Sequence, residues 1–356
     1  MSAPSPLRAA TEATSSRPLP RIALLTTGGT IAGAASSDSD SLRYAAGALG
    51  GDALIRAVPA LARIAQIETI TVASIDSKDA DPAFWCLLTE AVRAARLRDD
   101  IDGVVITHGT DTLEESAYWL DLTLGKGKPV VLTAAMRPAT ALSADGPANL
   151  FDAVTLAGNA SARDKGVLVT LQNRIHAARD VVKVSSHALD AFASPAGGPL
   201  GWVQDGRVGW SRQAVKDDFP EATPPLEAAL PSRRFDPSDL AAVEVIAQYG
   251  GASPRIVDVL VAEGIQGIVV AGTGNGTVNA ALTAALRRAV VAGVAVIRSS
   301  RASDVHVSPN AAVDDDAEGF VASGTLNPYK ARIRLMLALS IGLRDYAAVR
   351  DCFRDA

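Results

Sequence analysis

Cysteine is nearly missing from this chain. Its 356 residues hold only Cys86 and Cys352, near opposite ends. No framework of paired cysteines is written, and no Cys-X-X-Cys unit points to zinc or redox work. Histidine is scarce as well: His108, His176, His187 and His306 are scattered, none at i, i+4 from another. That argues against a histidine metal site, and neither a metal nor a cofactor is expected. Neither sign of charge dominates, because the formal net charge is −5 with acids and bases interspersed. Nucleic acid and membrane surfaces are therefore not expected partners. No run is long and apolar enough to span a bilayer. Residues 1–20, rich in Ala, Ser, Thr and Pro, lack the continuous apolar segment of a secretory signal and read as a flexible arm. These absences predict a cytoplasmic protein, the alternative being a periplasmic one whose signal has been removed. A Gly-x-Ser-x-Gly elbow is also missing, so the usual esterase solution on an α/β sheet is not written here.

What is present describes an ordinary globular protein, with 48% hydrophobic and 21% charged residues. The length allows a large core and two domains. An apolar run from Ile22 breaks into Thr27-Gly28-Gly29-Thr30, a buried strand emptying into a tight loop. Two adjacent glycines leave room for backbone N–H groups to approach a ligand. Residues 34–51 then form a long Gly/Ser/Ala/Asp stretch carrying Tyr44, of the kind found in lids and binding loops.

The theme repeats. A strand predicted over 67–75 ends in the polar turn Asp76-Ser77-Lys78-Asp79, and one over 101–107 runs into His108-Gly109-Thr110-Asp111-Thr112. Helices are predicted over 52–61, 81–97 and 113–124, the last with Thr112 and Glu115 at capping-box spacing. Thr110 and Asp111 thus lie between a strand end and a helix start, where α/β proteins collect ligands. Further strands are predicted over 129–133 and 167–171, and a helix over 148–156. Residues 213–240 hold five prolines among charges and read as a linker. Strand and helix units resume over 243–248, 254–262, 267–271, 278–291 and 294–298, with a final helix over 328–339. The fold class is α/β with two domains. Residues 21–212 form a larger parallel-rich sheet domain with flanking helices, and residues 241–356 a smaller flavodoxin/Rossmann-like α/β domain. Gly272-Thr273-Gly274-Asn275-Gly276 lacks the third glycine of a dinucleotide fingerprint, because Thr277 follows, and no acid for a ribose ends the next strand.

A threonine hydroxyl is a weak nucleophile and needs a base. Thr110, Asp111 and Lys183 supply a second hydroxyl, an acid and an amine that could serve as base if burial lowered its pKa. With backbone N–H groups at the glycine loops and helix starts to hold a carboxylate or an oxyanion, the set fits metal-free acyl transfer on a small polar substrate.

The segments Thr27-Gly28-Gly29-Thr30-Ile31-Ala32-Gly33 and Ile106-Thr107-His108-Gly109-Thr110-Asp111-Thr112-Leu113-Glu114-Glu115 resemble the two signature segments of bacterial-type L-asparaginases. The likeness continues through Ala135–Pro138, Ser143–Pro147, Gly272–Gly276 and Ala322–Pro328, in the family's order. It implies hydrolysis of L-asparagine to L-aspartate and ammonia by a homotetramer, a dimer of intimate dimers. It also implies Thr30 as nucleophile with Tyr44 as loop-borne partner, and Thr110, Asp111 and Lys183 as a second catalytic set. Ser77 and Asp111 would hold the α-carboxylate and α-amine of the substrate, with Gly29, Asp76, Thr110 and Ala135 as further substrate-binding positions. Asn275 would complete the site from a neighbouring subunit. The alternatives are a glutaminase-asparaginase with little preference, or an impaired amino-acid-binding protein of the same fold.

Three departures stand out. Lys78 occupies a position where the family often has glutamine, and Ala312 one where a glutamate usually contacts the substrate amine and the tyrosine; either Glu318 or another acid would offset that loss, or the substrate would be bound more loosely. Neither cysteine falls at the positions of the disulfide common in exported members.

Overall fold

The computed structural model describes residues 18–39, 43–212 and 225–354. Most of the expected N-terminal arm and the first half of the expected linker lie outside the described residues.

Eight strands form the larger sheet. In spatial order they are Arg207–Trp210, Gly201–Gln204, Arg174–Ala177, Val167–Leu171, Val130–Thr133, Gly103–Thr107, Arg21–Gly28 and Gln66–Ile75. The five from Val167–Leu171 to Gln66–Ile75 are parallel. Arg21–Gly28 and Gly103–Thr107 sit side by side in the interior, with Leu25 opposite Ile106 and Thr26 opposite Thr107. Both faces are covered, which explains why these segments are nearly continuous in apolar residues. Successive side chains point to opposite faces. Ala23, Leu25, Val104 and Ile106 therefore pack toward the helices Pro82–Leu97 and Leu113–Leu124. Ile22, Leu24, Val105 and Val131 pack toward the helix Gly146–Ala157.

The smaller sheet holds Val243–Ala247, Gly267–Gly272, Ala295–Ser300 and Phe320–Ala322, all parallel and in chain order. With no reversal of strand order there is no switch-point crevice of the kind that holds a dinucleotide. The helix Pro328–Ser340 joins the two sheets into one core. Its Ile333, Leu335 and Leu337 belong to the same buried cluster as Val104 and Leu132 of the first sheet and Val269 and Ile297 of the second.

Several local expectations change. Residues 52–61 are not one helix: Gly51–Arg56 is followed by a 3-10 turn, Pro59–Arg63, since Pro59 lacks the N–H that would continue the ladder. The helix at residue 113 begins as expected, but the Thr112 hydroxyl makes no capping bond and donates instead to Ser77 O at 2.7 Å. The antiparallel strands Arg174–Ala177, Gly201–Gln204 and Arg207–Trp210 were not anticipated. Asp205-Gly206, both at positive φ, makes the two-residue turn of the last hairpin. The second half of the expected linker is packed structure, with a helix Pro225–Ala229 and with Leu226 and Leu230 fully buried. A further helix, Tyr346–Cys352, follows the one expected to be last.

Candidate active site

Parallel strands open at one end of the larger sheet, and three of their exits meet there. Gly29, at φ 76°, leaves the first strand so close to the second exit that a Cβ on it would lie 2.4 Å from Gly109 N. A Cβ on Gly109 would lie 2.4 Å from Ser77 Oγ, at the third exit. The glycines thus let the exits pack on each other. The Gly29 N–H is not left for a ligand, because it donates to Ile75 O at 3.0 Å.

Thr30 opens a 3-10 turn, Thr30–Ala32, and is buried. The following loop folds back over this turn through a short strand pair in which Ala35 faces Tyr44, with Gly47 N donating to Gly29 O at 3.1 Å. Tyr44 is placed by its backbone, and its side chain lies outside the described residues. Ser77, also buried, accepts the Asp111 N–H on Oγ at 3.2 Å. Asp76 caps the turn Ser77–Asp79. Lys78 spans Asp76 at 2.8 Å and Asp79 at 3.1 Å, so its charge is matched within the turn, and its bond draws the Asp76 carboxyl below its usual range.

Lys183 joins the second set. Its Nζ donates to Thr110 Oγ1 at 2.9 Å and to Asp111 Oδ1 at 2.6 Å. Its backbone N–H donates to Glu114 Oε2 at 3.1 Å. Lys183 arrives on a two-residue strand, Val182–Lys183, paired with Phe192–Ala193. Between the exits and this strand, Thr110, Asp111, Lys183 and Ser77 form one hydrogen-bonded group, with Gly29 packed on the same backbone.

His108, next to this group, is fully buried. Its Nδ1 lies 2.8 Å from Gly109 O, and burial pushes its pKa down to about 4, which keeps the ring neutral. Ala135 is also fully buried, behind a turn in which Asp145 accepts the N–H groups of Met136 and Arg137.

Asn275 hydrogen bonds within the second domain, through Nδ2 to His306 O at 3.2 Å, and its Oδ1 is buried without a partner. Its loop is held by Arg298, which donates to the carbonyls of Asn275 and Gly276 and pairs with Asp315. Arg298, Glu114 and Lys330 were missed as contributors, because charged residues read from sequence as solvated. Of the acids that follow Ala312 in the chain, three already have partners within the second domain. Glu318 pairs with Arg287, Asp314 caps the helix Asp315–Glu318, and Asp316 accepts from Tyr346 and Asn310.

The description "Asparaginase, N-terminal" fits residues 21–216 and "Glutaminase/Asparaginase C-terminal domain" fits residues 242–353. The chain belongs to the asparaginase family. A "Probable L-asparaginase periplasmic" from Haemophilus influenzae is 44% identical, over 95% of this chain and 93% of its own. A "Glutaminase-asparaginase" from Pseudomonas fluorescens biotype A is 41% identical, over 90% of this chain and 87% of its own. The crystal structure of a "Probable Cytoplasmic L-asparaginase" from Campylobacter jejuni superposes with a TM-score of 0.85 at 40% identity, covering 95% of this chain and 100% of that one. Within this asparaginase-family fold, the three strand exits are the place where the two signature segments come together. Among the described residues no helix is long and apolar enough to cross a membrane.

Proposed function

We propose that this protein hydrolyses the side-chain amide of L-asparagine to L-aspartate and ammonia through a threonine acyl-enzyme. The observation that carries the proposal is the bonding of Lys183 Nζ to both Thr110 Oγ1 and Asp111 Oδ1, beside the exit that bears Thr30. In this reading Thr30 Oγ, assisted by Tyr44, attacks the amide carbon. The C–N bond breaks, and ammonia leaves with the hydroxyl proton. Water then attacks the ester, releases aspartate and returns a proton to Thr30. Thr110 and Lys183 are within direct proton-transfer distance. They relay the proton for one of the two attacks, with Asp111 orienting the amine. Ser77 and Asp111 hold the two ends of the amino acid, and Gly29, Asp76 and Ala135 shape the pocket around them.

Oligomeric state and compartment belong to the same proposal. Asn275 lies in the second domain, and a neighbouring subunit of a homotetramer would present it to the site. Two free cysteines, far apart in sequence, are in keeping with a cytoplasmic location.

Likeness to a glutaminase-asparaginase favours one second reading, in which glutamine is also a substrate. One methylene in a pocket is worth only about 1–3 kcal/mol of discrimination. Ammonia release measured over a range of asparagine and glutamine concentrations separates the two. A Thr30→Val protein that turned over normally would overturn the acyl-enzyme.

A further inference from the structure

Lys183 is tied to the second domain of its own chain by bonds that do not pass through Thr110 or Asp111. Glu114 accepts the Lys183 backbone N–H on Oε2, and its Oε1 accepts from Asn327 Nδ2 at 3.4 Å. Asn327 is the N-cap of the helix Pro328–Ser340, its Oδ1 accepting the Lys330 N–H at 3.0 Å. The same helix end grips the segment that leads to Lys183: Lys330 Nζ donates to Arg179 O at 2.9 Å and to Val181 O. Glu114, Asn327 and Lys330 are all buried.

Stability alone accounts poorly for this arrangement. Charges taken out of water lose much of their solvation, and apolar replacements of buried ion groups are often neutral or stabilising. What the groups do have in common is their target. Lys183 lies on a two-residue strand with little intrinsic rigidity, and a site that transfers protons needs its groups held to within a fraction of an ångström.

We propose that Asn327 is a positioning residue for Lys183, acting through Glu114, so that the second domain sets the distance from Lys183 Nζ to Thr110 Oγ1. The inference rests on the reading of Lys183 as a catalytic group. Its logic is a donor–acceptor relay: the Asn327 amide donates to Glu114, and Glu114 accepts from the Lys183 backbone.

Two variants test it. Asn327→Ser keeps a capping oxygen but is too short to reach Glu114. Its kcat should fall about tenfold or more with KM near the parent value, since geometry rather than binding is lost. The Lys183 amide should also exchange its hydrogen faster, a readout independent of turnover. The double variant Asn327→Asp with Glu114→Gln reverses the polarity of the bridge. The new amide donates to the new carboxylate, while its oxygen still accepts the Lys183 N–H. That protein should hold kcat within about threefold of the parent and keep the Lys183 amide protected. A parent-like kcat and a protected amide in Asn327→Ser would overturn the proposal, as would a double variant as impaired as the single one. An unmodified protein releasing no ammonia from asparagine or glutamine would instead overturn the proposed function, while the exchange measurement would still report on the relay.

Discussion

Lys183 Nζ and Asp111 Oδ1 stand 2.6 Å apart although 72 residues separate them in the chain. The pair is uneven: the lysine side chain is 17% exposed and the aspartate 58%. An ion pair with one partner this open is worth little to the folded state, about 0–1 kcal/mol. Its position against Thr110 is better explained by chemistry than by stability.

Replacing the amine separates the two roles. Lys183→Met should lower kcat by about a hundredfold to ten-thousandfold, the usual share of a positioned acid–base group. The unfolding midpoint should move little. Steady-state ammonia release and a thermal melt on the same preparation check this, and a melt that collapses together with activity would assign Lys183 a structural role.

Gly29 makes a different prediction. Its φ of 76° and the contact of 2.4 Å that a Cβ would make with Gly109 N leave no room for a side chain. Gly29→Ala should force apart the exits bearing Thr30 and Thr110, costing about 1–3 kcal/mol in stability from the strained backbone alone. Activity should fall further than stability does, because both threonines move. Urea unfolding beside turnover distinguishes this from a variant that is merely less stable.

Glu115 supplies a pH dependence of known sign. Burial, and then the neighbouring Glu114, raise its pKa from 4.5 to about 7. Between those values the folded chain binds more protons than the unfolded one. This group's favourable contribution is therefore whole below about pH 4.5 and is lost as pH rises toward about 7. Glu115→Gln cannot ionise. Its stability relative to the parent should grow across that window, by on the order of 2 kcal/mol. Denaturant midpoints for both proteins, at about pH 5 and about pH 8, measure it; a difference that does not change with pH would refute the assignment.

Much of the frame was legible because it follows from periodicity and punctuation. The strand at Ile22 and the helix from Leu113 to Leu124 stand where apolar pattern and turn residues put them. The hairpin around Asp205-Gly206 is less legible, because its flanking strands hold only four residues each and both contain a glycine. Pattern also misassigned one bond that it had located well. Thr112 is at the helix start, as its spacing with Glu115 suggests, but Ser77 O lies close enough to take its hydroxyl. Capping boxes are local, and here a contact from 35 residues away prevailed.

The amino-acid sequence by itself determined where backbones turn. Glycine pairs end buried strands at Gly28-Gly29, threonine and aspartate follow a strand at Thr110-Asp111, and these features depend only on neighbouring residues. Tertiary structure decided which of these turns meet and what surrounds them. Lys183 is a candidate base in the sequence, but only folding brings its Nζ 2.9 Å from Thr110 Oγ1, across 73 residues. Lys330, Glu114 and Arg298 read as solvated until helices and sheets close over them. The physical reason is that burial and charge pairing arise from contacts between distant segments, and no local pattern records how far a side chain will end up from water.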